Sequence, residues 1–181
     1  MHKFELHGTD SAPKDSLPLL EKSKKAFGMI PNLHAVMAEA PGLLEAYQRL
    51  HDLVLESSFT TDEKTVVWQT INVEHECHYC VPAHTFIAKG MGVEDSISDA
   101  LRNKTPLPTQ KLETLRVFTL SVVRKRGDVD TAEFQSFFEA GFTKRQALEI
   151  ILILSQKVMS NYVNHFADTP VDVPFSRFKW K

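Results

Sequence analysis

The sequence predicts an all-α fold, a helical bundle in which consecutive helices are joined by short turns. Apolar residues recur at three- and four-residue spacing along most of the chain. Helix-start residues and glycine or proline stops punctuate it at regular intervals, and no convincing period-two alternation marks a half-buried strand. With 181 residues the chain suits one compact domain with a sizeable core.

The elements follow in order. Ser16, Leu17 and Pro18 open a first helix that ends at Phe27 and Gly28, and Pro31 and Asn32 start a short second one. Pro41 sits in the first turn of a third, where its missing N–H is tolerated. Leu43, Leu44, Tyr47, Leu50, Leu53 and Val54 keep the helical period to about Ser57. Thr60 with Glu63 three residues on is a capping-box pattern, ahead of Val66, Val67, Ile71 and Val73. A helix after the Cys77–Cys80 segment ends near Lys89 and Gly90, residues 95–102 form another, and residues 105–108 form a loop. Leu112, Leu115, Phe118 and Val122 mark one face of the next helix. It stops at Arg124, Lys125, Arg126 and Gly127, with cations where the helix dipole favours them. Asp130 or Thr131 caps a helix ending at Gly141, and Thr143 caps a long last one to about Phe166. The run 150–154 is apolar all round and is expected to cross the core. The tail, residues 169–181, is rich in Pro, Phe and Trp and is expected to dock on the surface or on a neighbouring subunit.

Residues 16–102, which carry both cysteines, and 105–168 read as two halves of this one domain. Residues 60–101 and 109–148 are weak echoes of each other, the hint of a duplicated helical unit.

Composition excludes several functions. The net charge of −2 provides no basic field for nucleic acid or an anionic membrane. No apolar run approaches a membrane span, and residues 1–10 lack the apolar core of a secretory signal, so the expected location is the cytoplasm. There is no phosphate-binding glycine loop and no flavin, haem or nucleotide signature, so no cofactor is expected. Two cysteines cannot staple a fold of this size. Three residues apart in such a chain, they read as redox or metal chemistry.

The segment is Glu74-His75-Glu76-Cys77-His78-Tyr79-Cys80-Val81-Pro82-Ala83-His84. Pro82 fits only in the first turn of a helix, so that helix begins near Tyr79 with Cys80 at its N-terminus, where free N–H groups and the dipole favour thiolate. His84, four residues on, shares the face of Cys80 and is placed to take the thiol proton or to stabilise the thiolate as imidazolium. Cys77 is close enough to form a disulfide with an oxidised Cys80. Glu74 is the first candidate for orienting His84 and Glu63 the second. Tyr79 either packs or donates to a peroxide or sulfenate oxygen. Asn161, Asn164 and His165 space polar groups along the last helix; a solvated stripe is the plainer reading, and a pocket wall contributed by the second half is the alternative. Trp68, Phe86 and the methionines read as core, and His75 and His78 as solvated. Two other readings of the cysteines stand beside the redox one. A zinc site could recruit His84 with His75 or His78, though no metal is expected because all ligands would come from one turn. The pair could also be buried and inert.

The pattern Glu74-x-x-Cys77-x-x-Cys80-x-x-x-His84 resembles the alkylhydroperoxidase D (AhpD)-like branch of the carboxymuconolactone decarboxylase superfamily. Pro31-Asn32, Pro41-x-Leu43-Leu44, Gly141-Phe142-Thr143 and residues 161–168 resemble its peroxidase-related members, so the likeness spans about residues 16–172. It implies an all-α fold, homo-oligomers, reduction of hydroperoxides and re-reduction by an external dithiol or thioredoxin-like partner. It further implies that Cys80 is oxidised to sulfenic acid, that Cys77 is proton donor and disulfide partner, and that His84 works in a relay with a glutamate. Two departures stand out: Thr65 occupies the usual position of that glutamate, and Tyr79 precedes the second cysteine where histidine is common. Members that decarboxylate lactones lack the cysteine pair. Its presence here argues for redox chemistry and against lactone decarboxylation; the alternatives to a redox enzyme are a non-catalytic or zinc-stabilised helical oligomer, or a lactone decarboxylase-like enzyme.

Overall fold

The structure, a computed structural model, describes residues 4–180. Among them are nine α-helices and no strand: α1 (Leu17–Phe27), α2 (Asn32–Met37), α3 (Pro41–Leu55), α4 (Thr61–Glu74), α5 (Cys80–Gly90), α6 (Asp95–Asn103), α7 (Gln110–Arg124), α8 (Thr131–Glu139) and α9 (Lys144–Ala167). Short 3-10 turns at Lys14–Ser16 and Val173–Phe178 flank them. This is the element order read from the sequence. Local chemistry sets the boundaries. Thr60 and Thr143 close capping boxes with Glu63 and Gln146, and Glu133 reaches back to the Asp130 amide. Each such cap satisfies amides the helix leaves open and contributes about 1 kcal/mol.

Two packed regions divide the interior. The larger is aliphatic and aromatic, built from Val66, Val67 and Ile71 of α4, Leu115, Phe118 and Val122 of α7, and Ile150 and Ile153 of α9. Phe137 is stacked between Phe118 and Phe142, at centroid distances of 4.1 and 4.7 Å. Full burial of one such side chain is favourable by roughly 1.5–3 kcal/mol. The smaller region gathers Leu20, Leu33, Met37, Leu44 and Tyr47 around Cys77 and Cys80.

Helix α9 belongs to both regions. The run 150–154 is not buried all round: Ile150 and Ile153 face the core, whereas Ile151, like Leu148 before it, is exposed. A helix packed on one side keeps an outward face even where its sequence is uniformly apolar. Past residue 154 the inward face turns polar, and Gln156, Lys157, Ser160, Asn161 and Asn164 are all at most 1% exposed. Buried polar groups at this density are costly unless hydrogen-bonded, and this stretch covers the cysteines.

The tail docks on the chain's own surface. Asp172 accepts from the Asn32 amide and the Tyr79 hydroxyl, and Trp180 Nε1 donates to the Arg102 carbonyl. No helix among the described residues is long and apolar enough to cross a membrane.

Candidate active site

The site begins as a backbone turn. Helix α4 ends at Glu74, Glu76 takes a left-handed conformation (φ 51°), and the Cys77 amide reaches back to the Asn72 carbonyl at 3.0 Å. The chain then re-enters helix at Cys80, whose amide donates to Cys77 Sγ at 3.2 Å. Pro82 lies in the first turn of α5, as its ring requires. Cys80 therefore occupies the helix start expected from the sequence. Both sulfurs are free thiols and both are buried.

Helix α9 closes over this turn. Asn164 Nδ2 donates to Cys80 Sγ at 3.2 Å and lies 3.9 Å from Cys77 Sγ. Behind it a chain of buried amides fixes the turn. His75 Nδ1 donates to Asn161 Oδ1 and Asn161 Nδ2 to Asn72 Oδ1. Asn72 then donates to Gln69, which donates to the Val81 carbonyl and the Thr85 hydroxyl. A second relay starts at Lys157, whose Nζ donates to His84 Nε2 at 2.9 Å. Trp68 packs against the His84 ring at 4.9 Å and donates from Nε1 to Gln156, which in turn donates to His51.

This surrounding makes the two thiols unequal. Burial by itself pushes the Cys80 thiol up. The hydrogen bond from Cys77, the charge of Lys157 and hydrogen bonds from Asn161 and Asn164 outweigh it, and Cys80 falls from near 9 to about 6. Cys77 moves the other way: burial, and then its hydrogen bond to Cys80 and the repulsion of a neighbouring thiolate, push it far up and keep it protonated. Burial, then the charges of Lys157 and His51, hold His84 well below the usual histidine range. His84 is therefore a neutral imidazole accepting from Lys157, and the cation beside the thiolate is the lysine ammonium. Of the two roles expected for His84, taking the thiol proton or acting as imidazolium, this environment disfavours the second.

Cys80, His84 and Lys157 share a cavity of about 430 Å³. Tyr47, Tyr79, His34 and His51 are among its other polar lining residues, and Met29, Leu33, Phe86, Ile87 and Phe175 are among its apolar ones. Phe86 and Met29 thus line the cavity rather than fill a core, whereas Trp68 is core as expected. A volume of this size suits a small organic molecule.

The structure brings together Cys77, Cys80 and His84 but not the carboxylates expected to serve them. Glu74 is held by both Nε and Nη2 of Arg124, at 2.7 and 2.8 Å, and lines a separate small pocket. Glu63 is bound to its own capping amide and to Lys111. A strong cationic or amide partner fixes each carboxylate away from the imidazole, so neither forms the relay. Tyr79 donates to Asp172 at 2.5 Å, which ties the tail to the site instead of leaving the hydroxyl free for an oxidised sulfur. His165 donates to the His75 carbonyl from the surface and braces the turn. His75 and His78 are only partly buried and are bonded to Asn161 and to the Thr169 carbonyl. The described residues hold no cluster of three or more metal-ligating side chains, so the donor set does not fit the zinc reading.

Asn161 and Asn164 are fully buried, which reverses the plainer reading of that stripe. Lys157 was not singled out from the sequence at all. The available signal was its register: Ile150, Ile153, Lys157, Asn161 and Asn164 fall on one helix face, in line with core positions.

Fold and turn together define an all-helical protein with a paired-thiol centre beneath its longest helix, and the fold is shared with solved structures. A peroxidase-related protein of Ralstonia eutropha JMP134, an alkylhydroperoxidase AhpD core, matches with a TM-score of 0.83 over 97% of this chain and 96% of that chain, at 21% identity. An uncharacterised peroxidase-related protein from Silicibacter sp. TM1040 matches at 0.79 over 96% and 95%, at 17% identity. A cysteine-to-alanine variant of the debrominase Bmp8, in complex with 2,3,4-tribromopyrrole, matches at 0.79 over 98% and 95%, at 16% identity. No family model matches the sequence and no curated protein matches it. The chain has the AhpD-like fold, as the motif implied.

Proposed function

We propose that the protein is a thiol-dependent peroxidase or disulfide oxidoreductase that reduces hydroperoxides with the Cys77–Cys80 pair. The observation that carries this reading is the environment of Cys80, a sulfur at a helix start, hydrogen-bonded by Asn164 and open to an apolar cavity, with a protonated thiol beside it. The Cys80 thiolate attacks the distal peroxide oxygen. The O–O bond breaks, Cys80 becomes sulfenic acid, and the departing alkoxide takes one proton to leave as alcohol. Cys77 then attacks the sulfenic sulfur; its thiol proton leaves with the hydroxyl as water and the disulfide forms. An external dithiol or thioredoxin-like protein returns the pair to its starting state. Homo-oligomers and a cytoplasmic site of action belong to the same proposal.

Incubation with cumene hydroperoxide and dithiothreitol tests it. The wild type consumes peroxide and, without reductant, acquires one intramolecular disulfide by mass spectrometry. Two free thiols after peroxide treatment contradict the reading.

The apolar cavity also supports a second substrate class. Bmp8 is a debrominase captured with a halogenated pyrrole, and a cavity walled by Phe86, Ile87 and Phe175 suits a flat ring. In this reading the Cys80 sulfur takes the halogen, the ring takes a proton, and Cys77 expels the halide as the disulfide forms. Bromide release from a tribromopyrrole, dependent on Cys80, is the expected sign; no bromide release removes this substrate class.

A further inference from the structure

Lys157 is the residue the sequence left unexplained. It is a lysine with a side chain 1% exposed, in the middle of a 24-residue helix, with its Nζ on His84 Nε2 and its side chain in the wall of the cavity that holds Cys80. The titratable groups around it are His84 and Cys80 from α5, Cys77 from the turn and His51 from α3, with Tyr47 of α3 lining the same cavity. None of these is a carboxylate. Among the described residues lining the cavity, the carboxylate is Asp52, which is half-exposed and paired with Lys22 at 2.8 Å.

The charge balance of the site is therefore a two-body matter. While Cys80 is a thiolate, the Lys157 ammonium has a counter-charge. Once Cys80 is in a disulfide, that counter-charge is gone and a buried ammonium stands alone, an arrangement costing several kcal/mol in a low-dielectric interior. The same step produces an alkoxide in need of a proton. We infer that Lys157 is the acid of the redox step: it gives its proton to the oxygen expelled when Cys80 is oxidised, stays neutral against His84 while the disulfide stands, and is recharged on reduction. His84 positions it, since a neutral imidazole accepting at Nε2 fixes the amine whether or not it is charged. Burial holds Lys157 below the ordinary lysine range, and the charges of Cys80 and Cys77 oppose this, so loss of the thiolate moves it in the direction of discharge.

The balance closes. Hydroperoxide, Cys80 thiolate, Cys77 thiol and Lys157 ammonium give alcohol, water, the Cys77–Cys80 disulfide and a neutral Lys157 amine. An external dithiol then supplies two protons and two electrons, restoring the Cys77 thiol, the Cys80 thiolate and the ammonium. The inference rests on the paired-thiol reading above, and its test does not require peroxide.

The experiment is proton counting during oxidation of the reduced protein by diamide at pH 7.5 in weak buffer with an indicator dye. Diamide gains two hydrogens per disulfide formed. If one comes from Cys77 and the other from Lys157, the wild type takes no proton from solvent. Uptake of one proton per disulfide means that Lys157 stayed charged and overturns the inference. A Lys157→Arg variant supplies the contrast, because a guanidinium does not deprotonate: it keeps the thiolate reactive and takes one proton per disulfide. Lys157→Met gives an independent measure if arginine does not fit: iodoacetamide alkylation of Cys80 at pH 7 falls at least tenfold, and an unchanged rate overturns the inference. If peroxide is not consumed but the diamide counts come out as expected, the hydroperoxide reading fails and the role of Lys157 stands.

Discussion

The turn that joins α4 to α5 and the turn that joins α7 to α8 begin alike, although Gly127 of the second also has a positive φ (90°) where Cys77 of the first does not. Each follows a helix of similar length, each has a left-handed residue two positions past the helix end (Glu76 at φ 51°, Arg126 at φ 54°), and each closes with a 3.0 Å bond, Cys77 amide to Asn72 carbonyl and Gly127 amide to Val122 carbonyl. Even the last residues of the two helices correspond, and they meet in the Glu74–Arg124 ion pair. The surroundings differ. Residues 125–128 lie in solvent, and Asp130 and Glu133 there bind Lys125. Cys77 and Cys80 lie under the polar half of α9, where amides and a lysine face the sulfurs. A turn of this kind is generic; the covering helix turns one copy into a candidate reactive centre. The correspondence also places Glu74, which joins the end of α4 to the end of α7 rather than serving the site.

The comparison can be broken or sharpened by substitution. The largest effect is expected at Cys80 itself: Cys80→Ser abolishes peroxide consumption, whereas Cys77→Ser still allows one oxidation and accumulates a sulfenic acid that dimedone traps. Trapping in neither variant would show that the turn is as inert as its exposed counterpart. Next comes the cover. A hydrogen bond to a charged group contributes about 1.5–3 kcal/mol, so Asn164→Leu should slow alkylation of Cys80 at pH 7 about tenfold or more while circular dichroism stays helical. An unchanged rate would mean that α9 packs on the sulfur without activating it.

The cavity carries a pH signature of its own, set by burial of histidines. Burial, followed by the charge of His51, takes His34 down to about 3, and burial followed by the charge of Lys157 takes His51 to about 4. Both are depressed below the unfolded value near 6.5, so the unfolded chain binds protons first as the solution is acidified. The stability these neutral rings contribute is complete above pH 6.5 and is lost as pH falls from there toward 3–4, by a few kcal/mol in order of magnitude. The melting temperature should decline over that window and recover part of its pH 4 value in a His34→Phe, His51→Phe double variant. Identical pH profiles for the two proteins would contradict the assignment. The smallest effect belongs to Glu74→Gln. Its partly exposed pair with Arg124 is worth about 1 kcal/mol or less, so melting shifts slightly and peroxide turnover stays within twofold. A hundredfold loss of turnover would restore Glu74 to the site.

Much of this was legible in the sequence, for reasons that can be named. Thr60 and Thr143 act through side chains on amides three residues away, Asp130 through its capping box with Glu133, and Pro41 and Pro82 through their own rings, so helix starts and the position of Cys80 could be read locally. The three-residue cysteine spacing and His84 one turn on are likewise local. The covering helix was less legible because its contribution is tertiary. A buried asparagine and a solvated one have the same sequence signature, and nothing near Lys157 states that it faces a sulfur 77 positions earlier. Glu74 misled for the complementary reason: proximity along the chain stood in for proximity in space, and Arg124, fifty residues on, holds it elsewhere.

One measurement reaches the central claim directly, that the Cys80 sulfur is held ionised under α9. The rate of Cys80 alkylation by iodoacetamide, followed by mass spectrometry from pH 4 to 10, should rise through a single inflection near 6 and then level off. An inflection near 9, that of an ordinary thiol, would mean that neither the helix start nor the covering amides and ammonium act on this sulfur.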